Sequence, residues 1–285
     1  MHIKNISLLF ISIFFNLSFG QNINHKLSQN IEINGNYNRL IDSTFLIKNG
    51  KKSIENVYDY SFNDKKVLKL IIHFFKDNSP QNNFIYECDN NGNVIRLLIK
   101  NNFDEIIEDN FRELDTYGNV IKLVTNKKDK QYIFTYEYKY DSKKRIIEEV
   151  SKSKGSIYTT KNYLYDKSSN LVEEKVMNSL SSAKYFYKYI GNKKVEFKQI
   201  INNLQTDKFN YIYKNGLLIK EIHFDNQSQT PSEKIFEYNS QKKLILEKNN
   251  NSSTKYLNFD NNGNWRIKET YYSDNPSSIT SRSIF

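Results

Sequence analysis

Tyr136-Glu137-Tyr138-Lys139-Tyr140-Asp141-Ser142-Lys143-Lys144-Arg145-Ile146 is the stretch that decides the fold. Its first five residues alternate aromatic with charged. Successive side chains of a strand point to opposite faces, so Tyr136, Tyr138 and Tyr140 form a stripe on one face and Glu137 and Lys139 take the other. Asp141 then supplies turn chemistry, because an Asx side chain bonds nearby backbone. Ile146 opens a second, aliphatic run. Strand, turn and strand make one β-hairpin.

The same element recurs along the chain. Its clearest copies are Cys88-Asp-Asn-Asn-Gly-Asn-Val94, Leu114-Asp-Thr-Tyr-Gly-Asn-Val120 and Phe259-Asp-Asn-Asn-Gly-Asn-Trp265. Degenerate copies run over 62–67, 140–146, 165–171, 189–195, 213–217 and 238–244. The closing residues fall at 67, 94, 120, 146, 171, 195, 217, 244 and 265, a period near 25 residues and within the range of repeat arrays. Aromatic alternation precedes the other turns too, at Tyr185, Tyr187 and Tyr189 and at Phe209, Tyr211 and Tyr213. Where Lys-Lys replaces Gly-Asn, the turn is expected to differ or lengthen, since Gly and Asn tolerate positive φ.

A single hairpin is marginal, but neighbours can pair edge to edge and align their stripes. The expected fold is therefore all-β: tandem β-hairpin repeats forming an extended, coiled or curled antiparallel sheet, with stability close to a sum over repeats. Composition agrees, with 21 Tyr and 19 Phe among 285 residues, suited to half-buried pleated surfaces. The array is expected over 56–285. Residues 21–55 carry strand-like pieces without the full motif and are expected to form an N-terminal cap or atypical repeat, shielding an exposed edge.

Residues 1–20 have the three parts of a signal peptide: Lys4, the apolar run Ile6 to Leu17, and Ser18-Phe19-Gly20 before a cut at Gln21. Export is expected, to the periplasm, the cell surface or the medium, with no transmembrane helix after cleavage. The net charge of +10 is spread without a run of five like charges, so nucleic acid is not an expected partner.

Chemistry-bearing motifs are sparse. Cys88, the sole cysteine, occupies a position that elsewhere holds Tyr or Phe and reads as a small core residue. His25, His73 and His223 lack ligand spacing, and the latter two read as strand positions. The Asp-Asn-Asn-Gly-Asn loops at 89–93 and 260–264 are oxygen-rich but lack the alternating acids and final Glu of a calcium loop. Glu148-Glu149 and Glu173-Glu174 suggest glycosidase carboxylates, yet strand neighbours face opposite sides, so both pairs read as surface charge. No catalytic residue, cofactor or metal site is expected. The candidate ligand-stacking aromatics are Tyr136, Tyr138, Tyr140, Tyr185, Tyr187, Tyr189, Tyr211 and Tyr213, set against the reading that they are the buried face of a curled sheet.

Tyr140-Asp141, Tyr165-Asp166, Gly118-Asn119 and the C-terminal Gly263-Asn264-Trp265, followed by Tyr271-Tyr272, Pro276 and Ile279, resemble the YD-repeat family. That family is related to the repeats of Rhs proteins, and the likeness is to its small exported members common in Bacteroidetes. It covers about residues 56–285. It implies a repeat scaffold at the cell surface or in the periplasm and carries over no catalytic residue; the expected function is a non-enzymatic interaction scaffold that binds a glycan, a peptide or another envelope protein. Two other readings remain: an outer-membrane β-barrel, which the terminal Phe285 fits, and a component of a secreted toxin system, by family analogy alone.

Overall fold

The computed structural model describes residues 37–62, 68–74, 80–91, 93–228 and 230–285, with the side chains of 62–82 outside that description. The expected leader at 1–20, His25, residues 21–36 of the N-terminal segment, the side chain of His73 and the turn within 62–67 lie outside the described residues. Twenty strands follow in chain order: β1 (Arg39–Lys48), β2 (Lys51–Phe62), β3 (Leu68–Phe74), β4 (Pro80–Cys88), β5 (Val94–Asn101), β6 (Ile106–Leu114), β7 (Val120–Lys127), β8 (Lys130–Tyr140), β9 (Ile146–Ser153) and β10 (Ser156–Tyr165). The second half is β11 (Leu171–Met177), β12 (Ser182–Ile190), β13 (Lys193–Ile201), β14 (Leu204–Lys214), β15 (Leu217–Asp225), β16 (Ser232–Tyr238), β17 (Leu244–Lys248), β18 (Ser252–Leu257), β19 (Ile267–Tyr272) and β20 (Asn275–Ile284).

All belong to one sheet, and no helix occurs among the described residues. Contacts group the chain into two units: 1–41, 58–133 and 284–285, and 42–57 with 134–283. In the first, Tyr86 and Val94 are buried among Phe84, Cys88, Leu97 and Tyr60. Cys88 is thus a packing residue, and burial pushes its thiol up. In the second, Phe134–Ser283 forms an uninterrupted antiparallel run from β8 to β20. Burial there is shallow: among its described apolar residues only Tyr136 and Ile146 are buried.

β1 pairs with β2 on one side and with β20 on the other. Phe285 N–H donates to the Arg39 carbonyl at 2.9 Å, and Asn38 N–H donates to the Phe285 carbonyl at 2.9 Å. Arg282 grips Asp42 with two bonds of 2.8 Å. The first and last described strands therefore share a ladder, which removes the unpaired edge each would otherwise present.

The repeat has an internal grammar. In the hairpins closed after Cys88, Leu114, Tyr140, Tyr165, Tyr189, Tyr213 and Tyr238, the register slips by one residue just before that residue. The extra residue lies on the return strand and is Ile95, Ile121, Ile147, Val172, Val195, Ile219 or Ile245. It is β-branched every time, which suits an extended position, and each β-bulge adds local twist. Tyr165, Tyr213 and Tyr238 hydroxyls then donate to the carbonyls of Ile146, Lys194 and Leu218 in the preceding hairpin, at 3.0, 2.9 and 2.8 Å. An aromatic that recurs at the end of the repeat's first strand thus becomes a latch between repeats, each bond contributing about 1 kcal/mol.

The longer turns share one plan as well, while 191–192 and 215–216 are two-residue turns. Asp141 Oδ1 accepts N–H bonds from Lys143 and Arg145 at 2.9 and 3.0 Å. Asp89, Asp115 and Asp260 hold the residues two and four positions on in the same way, at 2.8 to 2.9 Å. The expectation that Lys-Lys copies need a different turn holds at 189–195, where Gly191-Asn192 make a two-residue turn, and fails at 140–146 and 238–244. Lys144 and Lys242 stand at φ 63° and 61°, at the loop position where Gly118 and Gly263 stand at φ 85° and 79°. The Asx oxygen fixes the loop path, so an ordinary residue is held in the left-handed region.

Candidate functional site

The aromatic stripes of the second unit merge across strands. Phe197 lies opposite Tyr187 and Phe209, and Phe209 lies opposite His223. Ring centroids are 5.4 Å apart for Tyr187–Phe197, 5.9 Å for Phe197–Phe209 and 4.1 Å for Phe209–His223, the last nearly parallel at 6°. Tyr185 stacks on Phe197 and Tyr211 on Phe209, at 6.2 and 6.4 Å. The result is a ladder of rings over β12–β15. Its members are half-buried.

The other candidates are placed as follows. Tyr136 is buried, and Tyr138 and Tyr140 are half-buried with rings 6.2 Å apart on β8. Tyr189 and Tyr213 stand one residue before the ends of their strands, and the Tyr213 hydroxyl is committed to the Lys194 carbonyl. Tyr185, Tyr187 and Tyr211 are therefore the candidates that the fold brings into the ladder.

Polar groups are set into the same face. Glu149 and Lys161 form a buried ion pair at 2.8 Å, with 3% and 5% of their side chains exposed. Tyr163 donates to Glu149 at 3.2 Å, and Tyr187 donates to Glu174 at 3.4 Å. A second inlay of this type joins Lys234 and Glu247 to Tyr256, whose hydroxyl donates to Glu247 at 2.8 Å. Burial, then Glu149 and Glu174, pushes the Tyr163 hydroxyl far up; burial, then Glu174, does the same to Tyr187. Burial and Glu221 push Tyr211 up to about 12. These hydroxyls stay protonated at neutral pH and act as donors. Lys194, 4.8 Å from the Tyr211 ring centroid, is pushed down by burial.

The paired carboxylates separate as expected, but only half of them are surface charge. Glu148 meets Lys139 and Glu173 meets Lys175 on the opposite face, while Glu149 is buried. Comparing neighbours within one strand misses this, because β9, β10 and β11 bring Glu149 and Glu174 to either side of Tyr163. His223 is more than a strand position: its Nε2 lies 2.7 Å from Asp207. Among the described residues no group of three or more His, Cys, Asp or Glu is arranged to hold a metal. The Asp89 and Asp260 carboxylates, read above as weak calcium candidates, are turned onto their own loop N–H groups, and donors converging there repel a cation.

No protein-family model matches the chain, and no curated protein matches it. Solved structures do. A porin-like protein from Bacteroides uniformis ATCC 8492 aligns over 89% of this chain and 99% of its own, at 9% identity and a TM-score of 0.41. A chain of the TcdB2-TccC3-Cdc42 structure aligns over 84% of this chain and 16% of its own, at 9% identity and a TM-score of 0.34. A chain of the Photorhabdus luminescens Tc holotoxin pore aligns over 80% and 15%, at 12% identity and a TM-score of 0.25.

Proposed function

We propose that the chain is an exported, non-enzymatic scaffold of YD-type hairpin repeats that binds an extended envelope ligand, a glycan first, on the aromatic face of its second unit. The observation that carries this is the ring ladder Tyr185–Phe197–Phe209–Tyr211–His223, continuous over four strands and only half-covered. Ring faces suit the C–H faces of sugars, and the protonated hydroxyls of Tyr187 and Tyr211 beside Glu174 and Glu221 offer donors and acceptors at the rim of each ring. Latches from Tyr165, Tyr213 and Tyr238, with Asp-centred loops, support the family reading. Export rests on the residue 1–20 pattern.

Glycan-array screening followed by calorimetry tests the proposal. Tyr211→Ala is expected to weaken the selected glycan roughly fivefold, stacking being worth about 1 kcal/mol. Unchanged affinity in a folded variant would remove the aromatic face as the site.

One observation favours the β-barrel reading: β1 pairs with β20, and a membrane-spanning sheet cannot leave an edge. Against it, the face opposite the aromatics carries ion pairs, among them Lys139–Glu148, Glu196–Lys208 and Lys220–Glu233. Expression without detergent, read by gel filtration and far-ultraviolet circular dichroism, separates the two. A soluble β-rich chain eliminates the barrel, and folding only in detergent eliminates the scaffold.

A further inference from the structure

The hairpin loops of the second unit gather cations that the sequence keeps apart. Consecutive antiparallel strands reverse direction, so the loops β8–β9, β10–β11, β12–β13, β14–β15, β16–β17 and β18–β19 all lie at one end of their strands. Over 141–145, 166–170, 190–194, 214–217, 239–243 and 260–266, that end holds ten Lys or Arg against three Asp. Lys-Lys pairs recur in or beside three of these loops: Lys143-Lys144, Lys193-Lys194 and Lys242-Lys243. Successive loops are two strands apart, about 10 Å. The Debye length at 0.1 M salt is about the same, so neighbouring loops reinforce one another. Arg145 and Arg266 pair with Asp141 and Asp260, and Lys194 lies over the Tyr211 ring, so the charge offered to a partner comes from the other loop lysines, with Asp166 set against them.

A second observation is independent of charge. Aliphatic side chains flank these loops and stand in solvent: Ile190 is 71% exposed, Leu164 56%, Ile212 41% and Ile147 37%. A soluble polyanion uses the lysines and leaves the aliphatics in water. A lipid headgroup layer uses both, taking basic side chains at its phosphates and apolar ones at the acyl boundary. The opposite strand end is less basic: exposed Leu180 and Leu204 stand by turns 178–181 and 202–203 that carry no lysine, and Lys154 beside exposed Ile157 is the exception among them.

We infer that the Asx-loop end of the second unit docks on an anionic phospholipid bilayer, with the loop lysines at the phosphates and Leu164, Ile190 and Ile212 in the interface. This docking end is distinct from the aromatic ligand face, so either can fail without the other.

The test is co-sedimentation of the full chain with vesicles of phosphatidylcholine alone and of phosphatidylcholine mixed equally with phosphatidylglycerol. The variant Lys143→Gln/Lys167→Gln/Lys214→Gln/Lys242→Gln is run beside it, so the apolar 6–17 segment is common to both. The wild-type chain is expected to prefer the anionic vesicles and to lose that preference as salt rises. The quadruple variant is expected to lose roughly fivefold in partitioning per lysine, about 1 kcal/mol each near an anionic surface. Leu164→Ser/Ile190→Ser is expected to weaken partitioning while leaving the salt dependence intact. Equal binding to both vesicles, salt-insensitive wild-type binding, or an unchanged quadruple variant overturns the inference. So does loss in Leu180→Ser/Leu204→Ser instead, or tighter binding of single-stranded DNA than of vesicles. The wild-type salt titration stands even if a variant does not fold.

Discussion

Two adjacent hairpins of the second unit, closed by 239–243 and by 260–264, reach the same loop by different residues. In one, Asn239 Oδ1 holds the N–H groups of Gln241 and Lys243 at 3.0 and 2.9 Å, and Lys242 takes the left-handed position. In the other, Asp260 holds Asn262 and Asn264 at 2.9 Å each, and Gly263 takes that position. Asn264 Nδ2 also donates back to Asp260, and Arg266 pairs with it. The difference teaches that the glycine is optional and the side-chain oxygen is not. It also shows what glycine adds: a Cβ at Gly263 would displace the flexible end of the Lys243 side chain, which lies over that loop.

The sharpest way to break the comparison is to remove the oxygen. Asp260→Ala strands two loop N–H groups and Arg266 and is expected to cost about 2–3 kcal/mol, read as a lower urea midpoint. Gly263→Ala should cost about 1 kcal/mol, from a left-handed residue and the shift forced on Lys243. Tyr238→Phe, which removes the latch beside the Asn239 loop, should cost about 1 kcal/mol. Lys242→Gly is expected to run the other way, gaining about 0.5–1 kcal/mol by relieving φ.

Acid sharpens the same contrast. Burial pushes the Asp260 carboxyl up, but the Asn264 side chain and the loop N–H groups outweigh it, and the net value lies below the usual carboxylate range. Asp141 and Asp166 are lowered too, chiefly by the Arg145 and Asn170 side chains. A carboxyl lowered on folding adds stability above its unfolded value of about 3.9 and loses it as pH falls through the folded value. Asp260→Asn, which copies the neighbouring loop, should therefore flatten the acid limb of a stability–pH curve. An unchanged limb would show that the carboxylate contributes nothing there.

The hairpin array was legible because the period-two aromatics and the Asx turn residues are local signals. The seven bulges were legible in principle, since a β-branched residue fills the bulge every time, but the pattern emerges only once the register is known. Asn101–Glu105 escaped notice entirely. Asn101 accepts from Phe103 and Glu105 at 2.9 and 3.0 Å and Asp104 takes φ 63°, so the loop is a full copy without Tyr-Asp or Gly-Asn. The ring ladder was half legible: Tyr185, Tyr187 and Tyr211 sit in obvious stripes, whereas Phe197 lies on a return strand and joins them only through cross-strand register. The Glu149–Lys161 pair joins two strands for the same reason.

The ladder between β1 and β20 has a temporal side. Hairpin latches join residues about 20 apart, whereas Arg282 reaches Asp42 across 240. By loop-closure entropy the longer closure costs roughly 2 kcal/mol more. Synthesis runs from the N-terminus, so β1 is made first and its partner last. The hairpins can zip up one by one as they emerge, each rewarded by local contacts. Among the described strands, the seam is the step that must wait until β20 is made, and until then β1 is open to pairing with a neighbouring molecule.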